Sequence, residues 1–281
     1  MHQKVGAKRW ISLGFISFQP SEVAKIGLII FFASLLTKNK DRLGEMWRGF
    51  FYPIMFLLPI IAILVGVQNH LSATLLIVMI VAVMMLMAGS KLRYFLTFGT
   101  AGATAGLSAL FLYAQITKKG LFRITRLITF LDPFADIQGS GWQVVQSLYA
   151  IGSGGLFGVG LGNSTQKYLY IPEAHNDFIF SIIAEELGFL GCIFVIVLFA
   201  LFIWRGILIA IKAPDMFGSL IAAGITTMVG LQAIINIAVV TSSMPNTGMP
   251  LPFFSYGGTS LLILMASVGI LLNISRASKT K

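Results

Sequence analysis

Charge is what this sequence has least of. Lys, Arg, Asp and Glu together make up 11% of its 281 residues, against roughly 25% in a soluble globular domain. So few ions cannot coat a water-facing surface, which excludes a soluble enzyme, a nucleic-acid reader and a disordered hub. Acids are scarcer still, with ten Asp and Glu against twenty Lys and Arg. The single cysteine, Cys192, rules out a disulfide framework and a thiolate metal cluster, and its apolar neighbours assign it to packing. No cleavable signal peptide opens the chain, since MHQKVGAKRW is polar and basic and no long apolar stretch follows until Val23.

What is plentiful is apolar length. Hydrophobic residues are 57% of the chain and the mean hydropathy is +0.88. Runs of membrane length lie at 23–37, 52–68, 72–89, 95–115, 178–204, 217–241 and 259–275. Crossing a bilayer takes about 20 residues of helix, whereas a closed barrel would show short alternating segments. The expected fold is an all-α integral membrane protein. It is a polytopic bundle of about seven transmembrane helices, with a long outward loop at 116–177 carrying short helices. Residues 1–281 then form one membrane domain.

The formal net charge of +10 is explained by where the cations sit. Lys38, Lys40, Arg42 and Arg48, then Lys91 and Arg93, then Arg205 and Lys212, then Arg276, Lys279 and Lys281 fall at alternate span ends. The positive-inside rule places those ends, and the C-terminus, in the cytoplasm. An odd number of spans then leaves Met1 outside with nothing before it to export it, so further helices are expected upstream.

The outward segments are unusual. GSGGLFGVGLG at 152–162 looks like a phosphate loop, but it lacks the preceding strand and following helix that such a loop needs. Close approach of backbones is the better reading. Asn163-Ser164-Thr165 spells a glycosylation acceptor, a short pattern that recurs by chance. MPNTGMPLPFFSYGG at 244–258 reads as a stiff, non-helical cap anchored by Phe253, Phe254 and Tyr256.

Ions inside or at the edge of a membrane carry the most information, because each costs free energy unless it is paired or wetted. Asp177 stands where the long loop enters the span at 178, after Glu173 and His175. Asp177, Ser181 and Glu185 recur at i, i+4 and i+8 and form one polar stripe on a helix, with Glu186 on another face. The bland reading of Asp177 is a carboxylate favoured by a helix N-terminus, and that of Glu185 a buried ion pair. Elsewhere on the outer side, Pro20 opens a helix with Ser21 as its cap, and Glu22 faces Lys25 three residues on. Arg9 and Trp10 lie near them in sequence. Carboxylate, cation and aromatic at one membrane face suit an anionic, lipid-linked substrate.

GAKRWI and QPSE within 6–22, GSGGLFGVGLGNSTQKYLYIPEAHNDFIFSIIAEELGFLG at 152–191 and MPNTGMPLPFFSYGGTSLL at 244–262 closely resemble the SEDS family, whose members include FtsW, RodA and SpoVE. LPFFSYGGTS and the ending GILLNISR look more like the FtsW/SpoVE branch. Family members have ten spans, so this chain resembles spans four to ten without the first three helices. The resemblance implies a peptidoglycan glycosyltransferase of the bacterial cytoplasmic membrane. It would polymerise lipid II at the outer face during cell division or sporulation, with a class B penicillin-binding protein and other divisome or sporulation proteins. Asp177 matches the family's catalytic aspartate, although Asn176 stands where the family has Thr. Trp10, Glu22 and Lys25 match the family's tryptophan, glutamate and lysine. The implied substrate contacts are Arg9, Trp10, Glu22, Lys25, Lys167, Glu173, His175, Glu185 and Ser255, and Arg123 and Arg126 join the basic candidates for pyrophosphate. No ligand cluster demands a metal; a divalent cation such as Mg2+ would share the pyrophosphate charge. Two other readings stay open: a lipid II flippase with the stripe along its path, against which the inner halves of the spans are almost purely apolar apart from the pair Gln232 and Asn236, and a non-catalytic division scaffold.

Overall fold

A computed structural model describes residues 11–12, 17–66, 71–100, 102, 104, 108, 130–135, 137, 139, 141–166 and 175–278. Among the described residues its regular elements are helices apart from one two-residue antiparallel pairing, β1 (Ile11–Ser12) with β2 (Ser17–Phe18), in which Ile11 pairs with Phe18. The chain divides into two compact units, Met1–Thr97 with Phe202–Leu231 and Gly257–Lys281, and Phe98–Leu201 with Gln232–Tyr256.

In the first unit α1 (Pro20–Lys38) opens on Pro20, whose missing N–H would have had no helical partner. Glu22 in its first turn and Lys38 in its last complement the helix dipole. Ser21, expected as the cap, lies inside the helix instead. Gln19 holds the cap position without a side-chain bond, and the Ser21 hydroxyl is buried with no partner among the described residues. A 3-10 turn (Lys40–Arg42) and a π turn (Trp47–Phe51) lead into α2 (Tyr52–Gly66), and α3 (Leu71–Ala88) follows. α1 packs chiefly on α3 and also meets α2, burying Ile29, Phe32, Ala33 and Leu36 on one side and Leu76, Ile77, Ile80 and Met84 on the other. Ser90 donates to the Gly49 carbonyl (2.6 Å) and Tyr94 to that of Gly44 (3.3 Å). These bonds gather Lys40, Arg42, Arg48, Lys91 and Arg93 at one end of the unit, as the charge pattern anticipated.

α4 (Trp142–Gly154) lies in the second unit, within the loop where short helices were expected. The residues of α5 (Ile179–Ile211) are divided at Leu201 and Phe202 and those of α6 (Met216–Val240) at Leu231 and Gln232 between the second unit and the first, and α7 (Gly258–Ser278) belongs to the first. Gly224 of α6 has no room for a side chain: a Cβ there would lie 2.7 Å from Ile29 and 3.0 Å from the Met84 sulfur. Helices in lipid associate by this kind of close packing at small residues.

Among the described residues six helices are long and apolar enough to cross a membrane: Pro20–Lys38, Trp47–Gly66, Leu71–Ala88, Ile179–Ile211, Met216–Val240 and Gly258–Ser278. Each coincides with an expected span, the largest difference being α5, which runs on to Ile211. Of the span expected at 95–115, residues 92–100 are helical and beyond them only 102, 104 and 108 are described. Residues 241–257 are non-helical, as the Pro and Gly content required.

Candidate active site

The glycine run shapes the second unit. α5 breaks at Gly188, whose φ of 68° and ψ of −165° fall in a region essentially reserved for glycine. The loop after α4 fits into that break. Val159 and Gly160 donate their N–H groups to the carbonyls of Glu185 and Glu186 (3.0 and 3.1 Å), while Phe189 and Leu190 donate to Gly155 and Leu156 (2.9 and 3.2 Å). Four backbone bonds thus replace those lost from the helix. Side chains are excluded along the seam, since a Cβ on Gly154 would lie 2.0 Å from the Ala184 carbonyl oxygen and one on Gly158 2.1 Å from that of Glu186. Close approach, not phosphate binding, explains these glycines.

The seam places Glu185, 1% exposed, under the end of the same loop. Its Oε2 accepts the Ser164 hydroxyl (2.5 Å), and its Oε1 accepts the Thr165 N–H (3.0 Å) and hydroxyl (2.9 Å). Glu186 takes the Ser164 N–H (3.4 Å). The expected buried ion pair at Glu185 is therefore replaced by hydroxyl and amide donors. The expectation that Glu185 contacts substrate meets a carboxylate already committed to three internal bonds. Ser164 and Thr165, which spelled a glycosylation acceptor, are its partners; the signal was a buried carboxylate in need of donors beside a glycine run. Ser181, wholly buried, donates to the Phe178 carbonyl (2.6 Å), so the stripe below Asp177 is internally satisfied.

Asp177 lies in the turn at 175–178 that precedes α5, half-buried, with Phe178 sealed beneath it at 1% exposure. Three successive carbonyls of this turn each accept a donor from elsewhere. The Tyr256 N–H reaches His175 (2.8 Å), the Ser255 hydroxyl reaches Asn176 (2.5 Å) and the Asn236 amide reaches Asp177 (2.7 Å). Ser255 also accepts the Leu251 N–H (2.7 Å), so its hydroxyl is taken up in clasping the loop to the turn rather than left open to substrate. Gly248, at φ +63°, lies against the carboxylate: a Cβ there would stand 3.1 Å from Asp177 Oδ2. Asn246 fixes that stretch by accepting the Gly248 N–H (3.1 Å) and donating to Gln143 of α4 (3.0 Å). The His175 side chain is exposed beside the turn.

Glu22 and Lys25 form an ion pair of 2.8 Å within α1, with Lys25 3% exposed, as their spacing predicted. Arg9, Trp10, Arg123, Arg126, Lys167 and Glu173 lie outside the described residues. Among the described residues no three His, Cys, Asp or Glu side chains come together as a metal site would require.

The FtsW/RodA/SpoVE family, described as cell cycle protein, matches residues 1–280. Stage V sporulation protein E of Bacillus subtilis is 43% identical over 274 residues, spanning 98% of this chain and 73% of that protein. A probable peptidoglycan glycosyltransferase FtsW of a Geobacter species is 44% identical over 96% of this chain and 71% of its own. A solved structure described as the structural coordination of polymerization and crosslinking by a peptidoglycan synthase complex superposes with a TM-score of 0.80 at 30% identity, covering 100% of this chain and 76% of that one. The rod shape determining protein RodA of Thermus thermophilus gives 0.65 at 29% identity over 98% and 71%.

Proposed function

Because the chain belongs to the FtsW/RodA/SpoVE family, we propose that it is a peptidoglycan glycosyltransferase whose general base is Asp177. It is a multi-pass membrane protein, and the positive-inside pattern assigns its C-terminus to the cytoplasm and its active face to the outside. Lipid II serves as donor and acceptor. The acceptor hydroxyl loses its proton to the Asp177 carboxylate as its oxygen bonds to the donor's anomeric carbon. The bond from that carbon to pyrophosphate breaks, and undecaprenyl pyrophosphate leaves with the electron pair. Attack opposite the leaving group inverts an α-linked donor into a β-linked strand.

The observation that carries this reading is the setting of Asp177: a half-buried carboxylate on a peptide held by outside donors, with a glycine in place of a side chain against its oxygen. A base must be fixed within hydrogen-bond reach of the proton it takes, and a base so placed contributes about 10²–10⁴-fold. Trp10 and the Glu22–Lys25 pair are assigned to substrate through their match to the family pattern, Arg9 and Lys167 through the positive charge the leaving pyrophosphate needs, and Glu173 and His175 through their place in sequence beside Asp177. A class B penicillin-binding protein is the proposed partner, supported by the similarity to a complex that couples polymerization and crosslinking. A flippase needs polar groups open along the membrane depth, and the internal bonding of Ser181 and Glu185 favours the transferase.

The test is polymerisation of lipid II by the purified protein with its partner. Asp177→Ala is expected to lose at least about 10²-fold in rate. Normal polymerisation by that variant would defeat the assignment, and lost polymerisation with flipping intact would separate the two activities.

A further inference from the structure

We infer that Asn236 is a positioning residue for the transferase reaction, acting on Asp177 through the peptide that carries it. The inference rests on Asp177 being the base. Asn236 projects from α6 and is 1% exposed. Its amide nitrogen donates one hydrogen to the Asp177 carbonyl and the other to the Met249 carbonyl, each at 2.7 Å. Two facing carbonyls settle which end of the amide is the nitrogen, since the oxygen has no hydrogen to give. The Oδ1 oxygen is buried with no partner among the described residues. The residue therefore gives up satisfaction of its own acceptor to place two donors.

What those donors hold is specific. The turn at 175–177 and the loop at 248–256 already grip each other through Tyr256 and Ser255. That grip fixes the two segments mutually. Asn236 ties both to a membrane-spanning helix, one through Asp177 and the other through Met249. Met249 follows Gly248, the residue against the Asp177 carboxylate, so one amide sets both the peptide bearing the base and the wall beside it. A displacement of about 1 Å at a reacting group costs on the order of 10²-fold in rate, so a tether of this kind acts on turnover rather than on substrate affinity.

Asn236→Leu keeps the approximate shape and carries no donor, removing both bonds without adding a charge beside Asp177. In lipid II polymerisation by the full protein with its partner, kcat per folded molecule is expected to fall about 30- to 100-fold, with KM within about threefold of wild type. Asn236→Ser, which retains one donor, is expected to fall between the two. Hydrogen exchange measured on the same preparations is expected to rise at 175–180 and 248–252 while α1 and α3 keep their protection. Wild-type kcat in Asn236→Leu beside an inactive Asp177→Asn overturns the inference alone. Loss confined to the folded fraction, or a fall in activity that lies wholly in KM, overturns it too. Wild-type turnover in Asp177→Asn overturns the base assignment, and the inference with it.

Discussion

Replacing Gly188 by alanine tests the seam between α5 and the glycine loop. Two separate costs apply. The backbone at φ 68° and ψ −165° is nearly closed to residues with a Cβ, and holding one there costs about 1–3 kcal/mol. The new Cβ would also stand 2.3 Å from the Gly158 nitrogen and 2.7 Å from the carbonyl carbon and oxygen of Leu156. These are backbone atoms, so the loop itself must move, and it is held by the four backbone bonds of residues 159, 160, 189 and 190. Losing two of them at about 1 kcal/mol each adds about 2 kcal/mol, giving roughly 3–5 kcal/mol in all. For a chain of this size that corresponds to a melting temperature lower by roughly 10 °C. Heating the detergent-solubilised protein and following the monodisperse fraction by size-exclusion chromatography reads the shift directly. Gly27→Ala in α1 is the control, since a Cβ there meets nothing within 4 Å and alanine favours the helix by about 1 kcal/mol. If Gly188→Ala melted within about 2 °C of wild type, or no lower than Gly27→Ala, the seam would not have the rigidity argued for it.

Three further outcomes follow from bonds to buried groups. Glu185→Ala removes the carboxylate acceptor of the buried Ser164 hydroxyl, whereas Thr165 is exposed and can turn to water; the expected loss is about 3 kcal/mol including the cavity, with Glu185→Gln losing about 1 kcal/mol, both read as melting temperatures. Glu22→Gln leaves the Lys25 ammonium buried without its partner and is expected to destabilise by about 3 kcal/mol. The double change Glu22→Gln with Lys25→Met is expected to recover most of that, and a double variant as unstable as the single one would refute a mutual pairing. Ser255→Ala removes the hydroxyl's bonds to the Leu251 N–H and the Asn176 carbonyl, at a cost of about 1–3 kcal/mol; activity falling with no change in melting would instead return its hydroxyl to substrate contact.

Most of the helical frame could be read from the sequence because a membrane offers the backbone one economical solution. With no water to meet its N–H and C=O groups, a continuous apolar run must close its own bonds as a helix. Residues 52–66, 71–88 and 216–240 needed no tertiary information for that reason. The Glu22–Lys25 pair was legible on the same local grounds, three residues apart on one helix face. The break at Gly188 was hidden, because AEELGFLG continues an apolar helix pattern and one glycine in such a pattern is usually tolerated. Its partners lie 28 to 33 positions earlier, and no periodicity reports a bond over that distance.

The same contrast explains why Asp177 could be singled out as a candidate while its setting could not be read. A carboxylate at the mouth of an apolar helix stands out in a chain with ten acids, whichever face it takes. Ser255 and Asn236 do not stand out, since a hydroxyl in a loop and an amide in a span have many bland uses. Asn236 is visible in the sequence, with Gln232, as a costly polar group in the otherwise apolar inner half of a span. An amide at 1% exposure with both hydrogens on carbonyls of two different segments has no hydrogen left to donate and no exposed face to present to a passing headgroup. A polar residue in a span thus signals a cost that the sequence reveals, and the groups it bonds determine whether that cost serves transport or the fixing of a reactive carboxylate.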